Sequence, residues 1–148
     1  MCFLDFNNGL ILNKENLGLN NEEAFLSHAL KILGRDLSIN EYNGYITYSF
    51  LCKYLESNFR FHITFLNGKR DGVPYLVWLD GICEKKKWES SERDLYGDVN
   101  NLKNIFNLNG IYPYKEHEDL SFYYKINGVL IRLITSLKSM SVVIHVEC

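Results

Sequence analysis

The sequence predicts an α+β domain, with an antiparallel sheet of about six strands packed against two main helices in the order α-βββ-α-βββ. Three observations predict it. Asn127-Gly128 sits between two β-rich runs, Leu120 to Ile126 and Val129 to Thr135, and Asn-Gly supplies the two positive φ angles that a tight hairpin turn needs. Phe59, Phe61, Ile63 and Phe65 alternate with Arg60, His62 and Thr64, the period-2 pattern of a half-buried strand. Two further stretches carry apolar residues at spacings of three and four behind capping residues, as amphipathic helices do.

In chain order, residues 1–19 do not declare themselves, although Leu10-Ile11-Leu12 reads as a short strand after Asn8-Gly9. The first helix follows Asn20 or Asn21. Glu23 stands three after Asn20, as in a capping box, and Phe25, Leu26, Ala29, Leu30 and Leu33 form the apolar stripe. Gly34 terminates it. Three strands come next: Tyr45 to Cys52, Phe59 to Leu66 and Val73 to Leu79, the last two joined by the turn Asn67 to Gly72. Pro74 fits near a strand start or on an edge.

The second helix opens at Ser90-Ser91, with Glu92 and Asp94 at its electropositive end. Leu95, Val99, Leu102 and Phe106 are its stripe, and Asn109-Gly110 ends it. The terminal hairpin then pairs Ile126 with Val129, Tyr124 with Ile131 and Phe122 with Leu133, all on one face. A closing strand puts Val142, Ile144 and Val146 on one side.

A length of 148 residues without a linker, repeat or low-complexity tract makes residues 1–148 one domain. Ten Tyr and nine Phe weight the chain toward sheet. Net charge is −2, and bases exceed acids only in residues 59–88, by six to three. That lacks the strong basic stripe of a duplex-binding domain, so no nucleic-acid partner is expected. Cys2, Cys52, Cys83 and Cys148 are widely spaced, form no CxxC pair and read as reduced thiols. The chain opens on Met1-Cys2-Phe3-Leu4-Asp5 without a secretion signal, and its longest apolar run, Val73 to Leu79, is too short to span a bilayer. The expectation is a cytoplasmic protein without a membrane partner.

No GxSxG, P-loop, HExxH or GxGxxG is present, so no catalytic residue, metal or cofactor is assigned and the chain reads as noncatalytic. His28 belongs to a helix surface and His62 to the polar face of its strand. His145 could pair with Cys148 or Cys2 only if the fold brings them together. His117 lies in the acidic stretch Glu116 to Asp119, where a flexible loop is a simpler reading than a metal site. Tyr45, Tyr48, Tyr75, Trp78, Tyr123 and Tyr124 serve a core, a cleft or a partner surface, with core as the default. The carboxylates Glu89, Glu92, Asp94, Glu116, Glu118 and Asp119 are the candidate partner-binding residues, because charge complementarity raises on-rate and specificity toward a basic partner.

A hairpin, then Trp88-Glu-Ser-Ser-Glu-Arg-Asp-Leu95, then a terminal hairpin and closing strand resembles the layout of small immunity proteins of bacterial polymorphic-toxin and contact-dependent growth inhibition systems. The resemblance covers residues 59–148, with Trp88, Ser91, Glu92 and Leu95 as its motif. It implies a cytoplasmic, noncatalytic protein that binds a cognate toxin and occludes its active site or substrate surface. Against a toxin nuclease with a basic substrate groove, the named carboxylates are expected to stand in for phosphate. The alternative is a small acidic secretion chaperone or adaptor; such chaperones usually finish on a helix, whereas this chain finishes on a strand.

Overall fold

The computed structural model describes residues 2–7, 9–17, 21–68, 72–81, 92–118, 121–136 and 141–146, with backbone alone at 92–97, 136, 141 and 142. Three strands open the chain: β1 (Cys2–Phe6), β2 (Leu10–Leu12) and β3 (Glu15–Asn16). Helix α1 (Glu22–Leu33) leads through a short 3-10 turn into β4 (Ser38–Tyr42), β5 (Tyr45–Tyr54), β6 (Ser57–Leu66) and β7 (Leu76–Gly81). Helix α2 (Glu92–Leu108) is followed by β8 (Lys115–Glu116), β9 (Phe122–Ile126), β10 (Val129–Ser136) and β11 (Ser141–Val146).

This corrects the expected α+β class. The described residues are mostly β, with 52% strand in a mixed sheet of eleven strands, and their order is three strands, helix, four strands, helix, four strands. The sheet runs β3-β2-β1-β5-β6-β7-β11-β10-β9-β8, and β4 shares one edge of β5 with β1. Among the described residues only β1 with β5 is parallel; every other pair is antiparallel. The two expected strand groups fuse where β7 pairs with β11.

The reasons for the difference are local. Asn43 and Gly44 both have positive φ and turn β4 back on β5. Yet all five residues of β4 are exposed, so no apolar alternation marks it. Leu55 and Glu56 also take positive φ, closing β5 on β6 in two residues without a glycine. The third expected strand begins at Leu76 instead of Val73, downstream of Pro74, whose missing N–H cannot join a ladder. The terminal hairpin keeps the expected register, Ile126 with Val129, Tyr124 with Ile131 and Phe122 with Leu133.

Asn21 caps α1 by accepting from the Ala24 N–H at 2.8 Å, and Gly34 at positive φ ends it. Leu30, assigned to the stripe, is instead about half exposed. In α2, Val99, Leu102 and Phe106 are buried as expected. Ser90 and Ser91, its expected caps, lie outside the described residues, as do Cys83, Lys85 to Lys87, Trp88 and Cys148.

Both helices make their described contacts with one face of the sheet. Phe25 of α1 packs on Tyr48 and Phe65, and Phe106 of α2 packs edge-on against Tyr54 at 5.9 Å and Tyr124 at 4.8 Å between ring centres. Tyr54 and Tyr124 stand on β5 and β9, five strand steps apart, which a flat sheet would hold roughly 24 Å from each other. One phenyl ring bridges them, so the sheet curls around the helices. Its concave face is the core: Phe50, Phe61, Leu79, Ile144, Leu133 and Phe122 form one buried row across it.

Candidate functional site

The convex face of the sheet carries the polar and titratable residues, and strand register lines them up. Ser49 of β5 lies beside His62 of β6, His62 beside Trp78 of β7, and Trp78 beside His145 of β11. The row continues through Arg132 of β10 and Tyr123 of β9 to Lys115 of β8. Side chains two apart share a face, so each strand contributes one member to the row.

His62 is the centre of its left half. The Ser49 Oγ lies 2.7 Å from Nδ1, Asp80 Oδ2 lies 3.0 Å from Nε2, and the imidazole stacks on Trp78 at 4.7 Å and 18°. Asp80 approaches off the N–H direction, because Nε2 makes no aligned hydrogen bond; the contact is an ion pair when the ring is protonated. Thr47 and Thr64 exchange a 2.8 Å hydrogen bond in the next row, which keeps those hydroxyls satisfied beneath half-buried neighbours.

Serine, histidine and aspartate within hydrogen-bond reach invite comparison with nucleophilic catalysis. Acyl transfer also needs backbone or side-chain donors aimed at the developing oxyanion. Ser49 sits mid-strand with Ser38 of β4 on one side and His62 on the other, so the backbone N–H groups around it are committed to strand pairing. What the cluster does chemically is hold His62 and Trp78 in one orientation on the sheet surface.

Tyr123 centres the right half. The Arg132 guanidinium carbon lies 5.7 Å and the Lys115 Nζ 5.5 Å from its ring centre, while the Tyr114 and His117 rings approach to 6.3 and 5.3 Å. Arg132 is half-buried, and its Nε has no protein acceptor. At one end of the convex face Tyr42, Tyr45 and Leu66 share a row, and Tyr75 packs on Tyr45 at 5.1 Å. Tyr42 and Tyr75 are largely exposed.

The expected carboxylates fall elsewhere. Glu116 is on the other face of β8 from Lys115 and is bound by Lys103 of α2 at 2.9 Å. Glu118 is exposed beyond it. Glu92 and Asp94 lie in the first turn of α2, where only the backbone is described; Glu89 and Asp119 lie outside the described residues. Of the six aromatic residues weighed between core and surface, Tyr48 and Tyr124 are buried, while Tyr45, Trp78 and Tyr123 are half-buried and Tyr75 is exposed. Among the described residues no three His, Cys, Asp or Glu side chains gather as metal ligands, and no helix is long and apolar enough to cross a membrane. The alternation from Phe59 to Phe65 pointed to His62, but its neighbours Ser49 and Asp80 emerge only from pairing.

Compared with protein-family models, curated proteins and solved structures, the chain matches none.

Proposed function

We propose that this chain is a noncatalytic binding protein of the immunity type, cytoplasmic, which neutralises a cognate protein toxin by covering its active site or substrate surface. The observation that carries the reading is the convex sheet face. There seven strands present a continuous row of half-exposed aromatic, hydroxyl and charged side chains, while the described contacts of both helices go to the opposite face. Tyr, Trp and Arg in a rigid, pre-formed arrangement are the residue types that dominate protein interfaces. A sheet orders them before binding, which lowers the entropic cost of association. The side-chain cluster richest in chemistry, around Ser49 and His62, has its neighbouring backbone donors engaged in strand pairing, which favours recognition over turnover.

The test is co-purification with the product of the adjacent gene, at low and high salt, together with rescue of growth when that product is expressed. A one-to-one complex and rescue are expected. Passage of the neighbour through the column at both salts, without rescue, would remove the reading.

A further inference from the structure

The chain is acidic overall, with net charge −2, but its convex face is not. On the outward positions of the sheet, the described charged residues are Lys53, Arg60, Lys115, Lys125 and Arg132 against two acids, Asp80 and, on β1, Asp5. Asp80 is already placed 3.0 Å from His62. The segregation follows from strand period: each base stands two or four residues from another outward side chain, and the acids Glu41 and Glu116 fall on the opposite parity.

We infer that this face docks an acidic surface of a protein partner, with Arg132 as the central anchor and Arg60, Lys115 and Lys125 as the charged rim. The inference rests on the inhibitor reading above and names the chemistry that its partner must offer. Arg132 is half-buried with its guanidinium carbon 5.7 Å from the Tyr123 ring centre, and its Nε is shielded from solvent without an acceptor among the described residues. A planar guanidinium fixed on this face pairs with a carboxylate through its terminal N–H groups. Arg60, Lys115 and Lys125 are exposed around it, so they steer an anionic partner and add little burial cost. Followed along the curl of the sheet, the row from β5 to β8 runs about 29 Å at ordinary strand spacing, so a partner engages the stretch centred on Arg132.

Nucleic acid would seek the same charge, but it also seeks free aromatic faces for its bases. Here Tyr123 is flanked by two cations and Trp78 is stacked on His62. The rings beside the bases are already engaged by the protein's own side chains, and the exposed Tyr42 and Tyr75 lie at an end of the face whose row, Tyr42, Tyr45 and Leu66, holds no base, so carboxylates suit the charged part of the face better than bases do.

Fluorescence anisotropy with labelled poly-L-glutamate and labelled poly(dT) tests this on the intact chain. Poly-L-glutamate should bind at low salt and dissociate at high salt. The double variant Arg60→Glu with Lys125→Glu should weaken it by about tenfold or more. Lys31→Gln, exposed on the helix that packs against the opposite face of the sheet, should leave it unchanged. Both bases of the double variant are exposed, and an unaltered circular dichroism melt verifies that the variant folds. Failure of poly-L-glutamate to bind, indifference to the double variant, or tighter binding of poly(dT) overturns the inference. A complex with the adjacent gene product that survives the double charge reversal likewise overturns this surface while sparing the inhibitor reading. Charge-dependent poly-L-glutamate binding without any such complex supports the surface and removes the inhibitor reading.

Discussion

The Asn127 side-chain amide donates to the Phe6 carbonyl at 3.0 Å, joining the turn of the terminal hairpin to the first strand of the chain. The two residues are 121 apart in sequence, and the bond is one tie that holds the curled sheet around α2. Asn127 also takes positive φ in its turn. Two substitutions separate these roles. Asn127→Gly keeps the turn and loses the tie, and should cost about 1 kcal/mol in urea denaturation. Asn127→Ala loses the tie and adds backbone strain, costing roughly 1 kcal/mol more. Equal losses would mean that the tie alone matters and the turn strain adds nothing.

Tyr48 on β5 donates to the Glu22 carboxylate at the start of α1, at 2.6 Å and away from solvent. The other carboxylate oxygen of Glu22 is buried without a hydrogen-bond partner. The N-terminal position on the helix favours negative charge, and the phenol supplies the missing donor. Tyr48→Phe should therefore destabilise by about 1–3 kcal/mol, because it strands a buried acceptor. Glu22→Gln retains an acceptor for Tyr48 and should cost less. The comparison is read from denaturation midpoints with unchanged slope.

What could be read from the chain was whatever its near neighbours encode. Asn127-Gly128 specified its hairpin and the pairing of Phe122, Tyr124 and Ile126, because turn and register lie within ten residues. Asn43-Gly44 carries the same signal, but Ser38 to Tyr42 are all exposed, so hydrophobic pattern could not announce the strand that this turn creates. The parallel pairing of Cys2 with Cys52 has no local signature at all, since it is set by curling of the whole sheet. The candidate site divides in the same way. Alternation put His62 on the polar face, whereas its contact with Asp80 needed the β6–β7 register, and the expected β7 start at Val73 ignored how Pro74 delays pairing.

Burial pushes the Tyr54 and Tyr124 phenols well above the usual tyrosine range, with smaller contributions from Asp5 and Glu116 respectively. An unfolded tyrosine ionises near 10. Above that pH the folded chain holds protons that the unfolded chain has released, so stability is complete below about pH 10 and falls as pH rises toward the folded values. Neither hydroxyl has a hydrogen-bond partner among the described residues. Tyr54→Phe combined with Tyr124→Phe should change stability at neutral pH by no more than about 1 kcal/mol, while flattening the alkaline loss. Thermal melts from pH 7 to beyond about pH 10 will compare the two proteins; parallel curves would exclude these tyrosines as the cause.

Cys52 is fully buried, and burial, with a smaller push from Cys2, raises its thiol to about 12. At mildly alkaline pH its thiolate is then roughly a thousandfold scarcer than that of a free cysteine. Alkylation should modify Cys2, which is only partly buried, before Cys52. Labelling of Cys52 should track opening of β1 from β5. Peptide-resolved mass spectrometry after timed iodoacetamide exposure measures both rates. Equal rates for the two peptides would contradict the parallel β1–β5 pairing.

Ser49, His62 and Asp80 offer the strictest check on a binding role. A serine nucleophile needs a base, and His62 Nδ1 at 2.7 Å is placed to be one. It also needs oxyanion donors, whose loss alone costs a serine protease about 10²–10³ in rate. The strand ladders on both sides of Ser49 occupy the nearby N–H groups, and freeing one would break a sheet pairing. A fluorophosphonate probe should therefore leave Ser49 unmodified, and nitrophenyl ester hydrolysis by the wild type should equal that of Ser49→Ala. Ser49→Ala should instead act on structure: it releases His62 Nδ1 from its hydroxyl partner at a cost of about 1 kcal/mol. The His62–Trp78 stack then loses one restraint, which the tryptophan emission of the two proteins would register. Covalent capture of Ser49 by the probe, with ester turnover that vanishes in Ser49→Ala, would instead make this row an active site and the convex face a substrate platform.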